Sequence, residues 1–192
     1  MRHQLFDIDT ALLTKRCVIR RFRENDGKAF YKLLDGNRDY LLDHFPYLMA
    51  EAGKSRKGAE IFVRACIAEW LLQQRYAMGI WLNESTELVG FVQVFNIDWG
   101  VPSGELGYFI DRELIRQGIM TEVLARVVRF SFLQLELDKL IIKTLIDNYA
   151  SQRLARRVGF SREGDLRSEY RMPSGVLVDL MRFGFVRETY GE

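Results

Sequence analysis

With 192 residues the chain has room for one domain, and its 48% hydrophobic and 12% aromatic content is enough for a sizeable core. Three prolines and fifteen glycines are too few for a low-complexity linker, so disorder and collagen-like structure are excluded. The 28 Lys and Arg nearly balance the 26 Asp and Glu, and a formal net charge of +2 excludes bulk electrostatic capture of nucleic acid or anionic lipid.

A single domain over residues 1–192 is therefore expected, with residues 1–16 as an N-terminal extension and no direct nucleic-acid partner. Every apolar run is shorter than the ~20 residues that cross a bilayer, so no membrane partner is expected. Cys17 and Cys66 sit in apolar surroundings without CxxC spacing and follow no secretory segment; two buried free thiols in a reducing cytoplasm are the simplest reading. His3 and His44 have no helical i, i+4 partner, which leaves a His-based zinc site or a Ser-His-Asp triad without its parts, and no metal is expected.

Taken in order, Cys17-Val-Ile-Arg-Arg-Phe22 reads as a first strand, and Phe30, Tyr31, Leu33 and Leu34 follow at helical spacing until Gly36-Asn37. Residues 39–48, rich in Tyr40, Leu41, Leu42, Phe45 and Tyr47, suggest a helical lid lying on the surface. A longer amphipathic helix is expected over residues 59–74. Residues 76–82 and 88–97 form a hairpin around Asn83-Glu84-Ser85-Thr86, with Gly90 marking a bulge or a close approach, and residues 105–110 add a third strand. From 119 to 135 a helix carries a narrow polar stripe of Glu122, Arg126 and Arg129, the pattern of a helix packed on a sheet.

Residues 139–146 are a nearly continuous apolar strand of the kind buried on both faces. Asn148 is a natural N-cap for a helix over 149–158, Gly159 a natural terminator, and residues 160–171 and 176–185 are the last strands. The order implies the α/β class: a mixed, mostly antiparallel sheet of about seven strands with helices on both faces.

Chemistry concentrates in residues 105–121. A loop entering a helix through Gly118 exposes helix-start N–H groups beside the positive end of the helix dipole, which suits a phosphate. Gly118 has no Cβ to hold a ligand off, and Thr121 can add a hydroxyl. By spacing alone Gly118 can equally be an ordinary turn, since the further glycines of a dinucleotide fingerprint and the Gly-Lys-Thr of a P-loop are missing.

The second informative stretch is Asn148-Tyr-Ala-Ser-Gln-Arg-Leu-Ala-Arg-Arg-Val-Gly-Phe160. Together the two resemble the cofactor core of the GNAT superfamily of acetyl-coenzyme A-dependent N-acetyltransferases. More narrowly, Gly36-Asn-Arg-Asp39, Phe45-Pro46, Glu105-Leu-Gly-Tyr108, Gly118-Ile-Met-Thr121, Asn148-x-x-Ser151, Gly159-Phe160 and Glu163-Gly164 look like the ribosomal-protein N-terminal acetyltransferase branch. The chain departs from the family loop at Ile115, where Gln or Arg is common, and at Met120, where Gly or Ala is usual.

The resemblance implies acetyl-coenzyme A as co-substrate. The strand carrying Gly107, Tyr108, Phe109 and Ile110 would pair with its pantetheine, the loop Arg116, Gln117, Gly118, Ile119, Met120 and Thr121 would hold its pyrophosphate, and Asn148 would cap the second helix. It also implies that Ser151 protonates the departing thiolate, because the tyrosine other branches carry seven residues after the Asn is Ala155 here. Glu105, at the start of the strand facing the acceptor, is the expected base for the amine, with Glu169 as runner-up and Tyr170 standing where an acidic residue is expected.

Two further groups are read conservatively. Arg153, Arg156 and Arg157 read first as a solvated face and second as a contact to the coenzyme's ribose phosphate, and Tyr40, Phe45 and Tyr47 first as packing of the lid and second as lining of the acceptor cleft; Trp70, Trp81 and Trp99 are core or sheet-edge residues. The expected acceptor is a primary amine, a protein N-terminus first and a small polyamine, aminoglycoside or metabolite second, with a non-catalytic acyl-coenzyme A sensor as the competing class. A homodimer stays open.

Overall fold

The computed structural model describes residues 8–191. The elements run β1 (Ala11–Leu13), β2 (Cys17–Arg21), α1 (Gly27–Gly36), α2 (Arg38–His44), α3 (Pro46–Glu51), α4 (Arg56–Leu71), β3 (Tyr76–Leu82), β4 (Leu88–Asp98) and β5 (Ser103–Ile110). They continue with α5 (Ile119–Leu133), β6 (Lys139–Leu145), α6 (Tyr149–Arg157), β7 (Ser161–Arg171) and β8 (Leu177–Val186). The strands form one sheet in the order β1-β2-β3-β4-β5-β6-β8-β7, antiparallel at every junction except the parallel pair β5–β6.

The sheet has eight strands rather than seven, because residues 11–13 of the expected extension pair with β2, Leu12 opposite Ile19. Leu12 is fully buried, so a single apolar side chain flanked by exposed residues is enough to seat this short edge strand. Residues 1–7, and His3 with them, lie outside the described residues.

Each face of the sheet carries its own core. On one, Phe22, Phe30, Phe62, Phe91 and Phe109 form a chain of ring contacts, with Phe30 and Phe62 stacked at 5.5 Å and Phe91 and Phe109 at 5.8 Å, joining α1 and α4 to the strands. On the other, the buried stripe of α5, including Val123, Leu124, Val127, Val128 and Phe130, covers Met78, Ile80, Val92, Val94, Leu106 and Leu140. Helices on both faces follow from these two apolar surfaces.

Local signals hold where they were strong. The helix expected over 59–74 runs instead from Arg56 to Leu71, because Ser55 caps it by accepting from the Gly58 N–H at 3.0 Å and so starts it inside the polar stretch. Gly159 lies at φ 109°, and a Cβ there would come within 2.8 Å of the Phe185 ring. Gly90 is a close approach: a Cβ would sit 2.8 Å from the Phe109 carbonyl, and the β3–β4 register shifts beside it. Trp70 and Trp81 are buried, and Trp99 is half-buried, donating to the Gln73 carbonyl.

The expected lid is two helices, α2 and α3, broken at Pro46, and it is tied into the core by buried Leu41 and Met49 rather than lying on the surface. β6 is also not buried on both faces: Leu140, Ile142 and Thr144 are buried, while Lys139, Ile141, Lys143 and Leu145 on the other face are half-exposed. Of that second face, Lys143 and Leu145 border a cleft.

Cys17 and Cys66 are both buried free thiols, and burial pushes the Cys66 thiol up to about 12. The thiolate is the nucleophile, so neither is expected to react with iodoacetamide in the folded protein, and both should react once it is denatured. Mass spectrometry of the alkylated chain checks this directly.

Candidate active site

The parallel junction positions the site. Ser103, Gly104 and Glu105 pair with Lys139, Leu140 and Ile141, and among the described residues the ladder goes no further. Beyond Glu105 the two strands separate, and a cleft of about 880 Å³ opens between them, lined by β5 from Glu105 to Ile110 and β6 from Ile142 to Leu145. The backbone edge of β5 that β6 leaves is available to an extended ligand. A bulge in β4, with Asn96 at φ 48° and the register shifting between Phe95 and Asp98, sits across from Glu105 and turns Asn96 into the same cleft.

The cleft ends at the loop before α5. Arg116 at φ 63° and Gly118 at φ 79° both adopt the left-handed conformation, and Gly118 caps α5 with no side-chain bond to its first turn. The early N–H groups of α5 have no intrahelical partner and carry the positive end of its dipole, so this end of the cleft is built for an anion.

The loop is braced from two sides that sequence reading missed. Arg16 donates to the Gln117 carbonyl at 2.8 Å and pairs with Glu122 in the first turn of α5, offsetting an acidic charge at the anion end. Asn37, 1% exposed between α1 and α2, donates to the Leu33 carbonyl and to Asp111 and accepts the Arg112 N–H at 2.8 Å. Removing such a buried partner costs about 1–3 kcal/mol. Asn37→Ala is therefore expected to lower the melting temperature by roughly 2–10 °C. Differential scanning calorimetry of the variant checks it.

On the α6 side, Asn148 accepts the Ser151 N–H at 3.0 Å, which caps the helix as the sequence suggests. The Ser151 hydroxyl lies 3.0 Å from the phenol oxygen of Tyr108 in β5, so one hydrogen bond joins β5 to α6 at the cleft. Arg153 and Arg157 line the cleft, contrary to a purely solvated reading, whereas Arg156 lies over the Phe183 ring at 5.3 Å. The i, i+4 spacing of 153 and 157 places them on one side of α6 and sends 156 elsewhere.

The opposite side of the cleft carries charge. Lys143 in β6 bridges Glu105 at 3.3 Å and Glu169 at 2.9 Å. Burial pushes the Lys143 ammonium down, but the two carboxylates outweigh it and its pKa stands above the ordinary value. A register shift in β7 between Leu166 and Tyr170, with Ser168 at φ 51°, brings both Glu169 and Tyr170 to the cleft, so the one-residue displacement visible in sequence does not separate them. Burial pushes the Tyr170 phenol up to about 12, with Tyr47 adding to it, which keeps Tyr170 protonated at neutral pH.

Tyr40, Phe45 and Tyr47 do both things between which the sequence left a choice. All three border the cleft, while Phe45 packs on Phe109 at 5.6 Å and the Tyr47 hydroxyl donates to the Arg171 carbonyl at 2.6 Å, joining α3 to the β7–β8 hairpin. Of the residues singled out by sequence, Glu105, Gly107, Tyr108, Phe109, Ile110, Arg116, Gly118, Ile119, Met120, Thr121, Asn148 and Ser151 border this one cleft. Gln117 does not; its side chain turns back to the Glu113 carbonyl. Among the described residues no group of three or more His, Cys, Asp and Glu could hold a metal ion, and no helix is long and apolar enough to cross a membrane.

A split parallel pair, a helix N-terminus at its far end and charged side chains across it suit an enzyme that takes an extended, anionic ligand. The acetyltransferase (GNAT) domain family model matches residues 16–161, and the chain belongs to that family as an N-acetyltransferase. It is 26% identical over 176 residues to the uncharacterized N-acetyltransferase YoaA of Bacillus subtilis, covering 92% of this chain and 96% of that one. It is also 26% identical over 161 residues to the ribosomal-protein-serine acetyltransferase of Escherichia coli, covering 83% and 87%. A solved structure of the ribosomal L7/L12 α-N-protein acetyltransferase RimL in complex with coenzyme A shares the fold, with a TM-score of 0.84 at 20% identity over 92% of this chain and 97% of that one.

Proposed function

We propose that the enzyme transfers the acetyl group of acetyl-coenzyme A to the α-amino group of a protein N-terminus, with ribosomal proteins as the first candidates. The observation that carries the co-substrate is the open β5 edge leading to the left-handed loop at the start of α5. An extended pantetheine can extend the sheet along β5, the helix-start N–H groups can take the pyrophosphate, and Arg116, Arg153 and Arg157 supply cations along the same wall. The acceptor class is supported by the relatives that act on ribosomal proteins and by a mouth bordered by α2, α3 and the β7–β8 hairpin.

The amine arrives mostly as an ammonium and must lose a proton before it can attack. Glu105, fixed in place by Lys143, takes that proton directly or through one water, and Ser151, on the α6 side, donates to the sulphur. Sheet alternation puts Glu105 and Tyr108 on opposite faces of β5, so base and acid groups approach the thioester from different sides. No covalent enzyme intermediate is required.

Ribosomal proteins from cells lacking the enzyme, incubated with it and acetyl-coenzyme A and measured intact by mass spectrometry, should gain one acetyl group at an N-terminus. Turnover of a polyamine or aminoglycoside with unmodified ribosomal proteins would move the acceptor to small amines. Coenzyme binding without turnover on either panel would make the protein an acyl-coenzyme A sensor.

A further inference from the structure

We infer that Tyr108 is the positioning residue that aims the Ser151 hydroxyl at the coenzyme's sulphur, an inference that rests on Ser151 being the acid. The two oxygens are 3.0 Å apart, and the Ser151 backbone N–H is fixed by Asn148 Oδ1 at 3.0 Å, so the serine is held from both ends. Tyr108 comes from β5 and Ser151 from α6, the elements on either side of the split, and both border the cleft.

Either oxygen can donate in this bond, and we take the phenol, the more acidic of the two hydroxyls, as the donor. Burial pushes Tyr108 up to about 12, offset only in part by the Ser151 hydrogen bond, so it keeps its hydrogen throughout the neutral range. When Tyr108 donates that hydrogen to Ser151 Oγ, the serine's own hydrogen must point elsewhere, and the open direction is the cleft. A hydroxyl that accepts one hydrogen bond is polarised to donate the next more strongly. Ser151 then gives its hydrogen to the sulphur as the C–S bond breaks with its electron pair on sulphur. The acceptor nitrogen releases two protons overall: one restores Ser151 through water and the other leaves to solvent, while Tyr108 keeps its own.

Tyr108→Phe keeps the ring and removes one oxygen. Its kcat should fall about ten- to a hundredfold, the range for losing a hydrogen bond that strengthens as charge develops, with KM for acetyl-coenzyme A and the thermal shift produced by free coenzyme A unchanged. Because the phenol acts through the serine, Tyr108→Phe combined with Ser151→Ala should be no slower than Ser151→Ala alone. In coenzyme-free protein labelled with carbon-13 at the tyrosine Cζ, the Tyr108 resonance should move in Ser151→Ala. A wild-type kcat in Tyr108→Phe, a double variant slowed by the product of the single effects, or an unmoved resonance overturns the role of Tyr108 and leaves Ser151 standing. A wild-type kcat in Ser151→Ala removes both.

Discussion

Ser151→Ala and Glu105→Gln are each expected to lower kcat by about 10²- to 10⁴-fold, the usual cost of removing a positioned general acid or base. Neither should weaken acetyl-coenzyme A binding, because an interaction made as the transition state forms does not raise KM when lost. Both changes spare the fold. Ser151→Ala leaves the Asn148 cap, which uses the residue's backbone N–H, and Glu105→Gln leaves Lys143 paired with Glu169 at 2.9 Å. Thiol release followed against an amine in the steady state checks both. If each variant keeps near-native kcat across the neutral range, the assignment fails, and Glu169 becomes the carboxylate to test, since Tyr170 is held protonated by burial.

For the wild-type protein, free coenzyme A at 100 times its dissociation constant should add roughly 2.7 kcal/mol of stability, a melting shift of about 5–10 °C for a chain of this size. Gly118→Val should abolish most of that shift. Gly118 sits at φ 79°, where a β-branched residue is a conformational outlier costing about 1–2 kcal/mol in the free protein. A Cβ there would meet only Arg16 Nη2 at 3.5 Å, an ordinary contact, so the protein itself has room for it. The loss therefore arises where an anion approaches the backbone and where the loop must hold its left-handed turn. Scanning fluorimetry with and without coenzyme A separates the two effects, the first appearing only with ligand. A full wild-type shift in Gly118→Val would mean that the coenzyme does not use this loop.

What could be read from the residues alone was whatever a short stretch of chain decides for itself. The stripe of α5, the Asn148 cap, the Gly159 stop and the helix entrance at Gly118 are set by side chains within one or two turns, and each stands where periodicity and capping place it. The resemblance to the acetyltransferase family rested on the motifs in two such stretches, and the family model over residues 16–161 bears it out.

The opening of the cleft was not legible in this way, because it depends on where a ladder stops: β5 and β6 part after Glu105 and Ile141, and no residue type marks that point. Nor could sequence place Lys143 between Glu105 and Glu169, Arg16 on Gln117, or Tyr108 on Ser151, partners 26 to 101 positions apart where hydrogen-bonded. Register and bulges decide such meetings, as Ser168 shows by bringing both Glu169 and Tyr170 to one cleft. Local preference therefore determined the elements and the kind of chemistry they could hold. Which side chains face each other across the split was decided only in the tertiary structure, because pairing between distant strands is fixed by the packing of two separate cores rather than by any single segment.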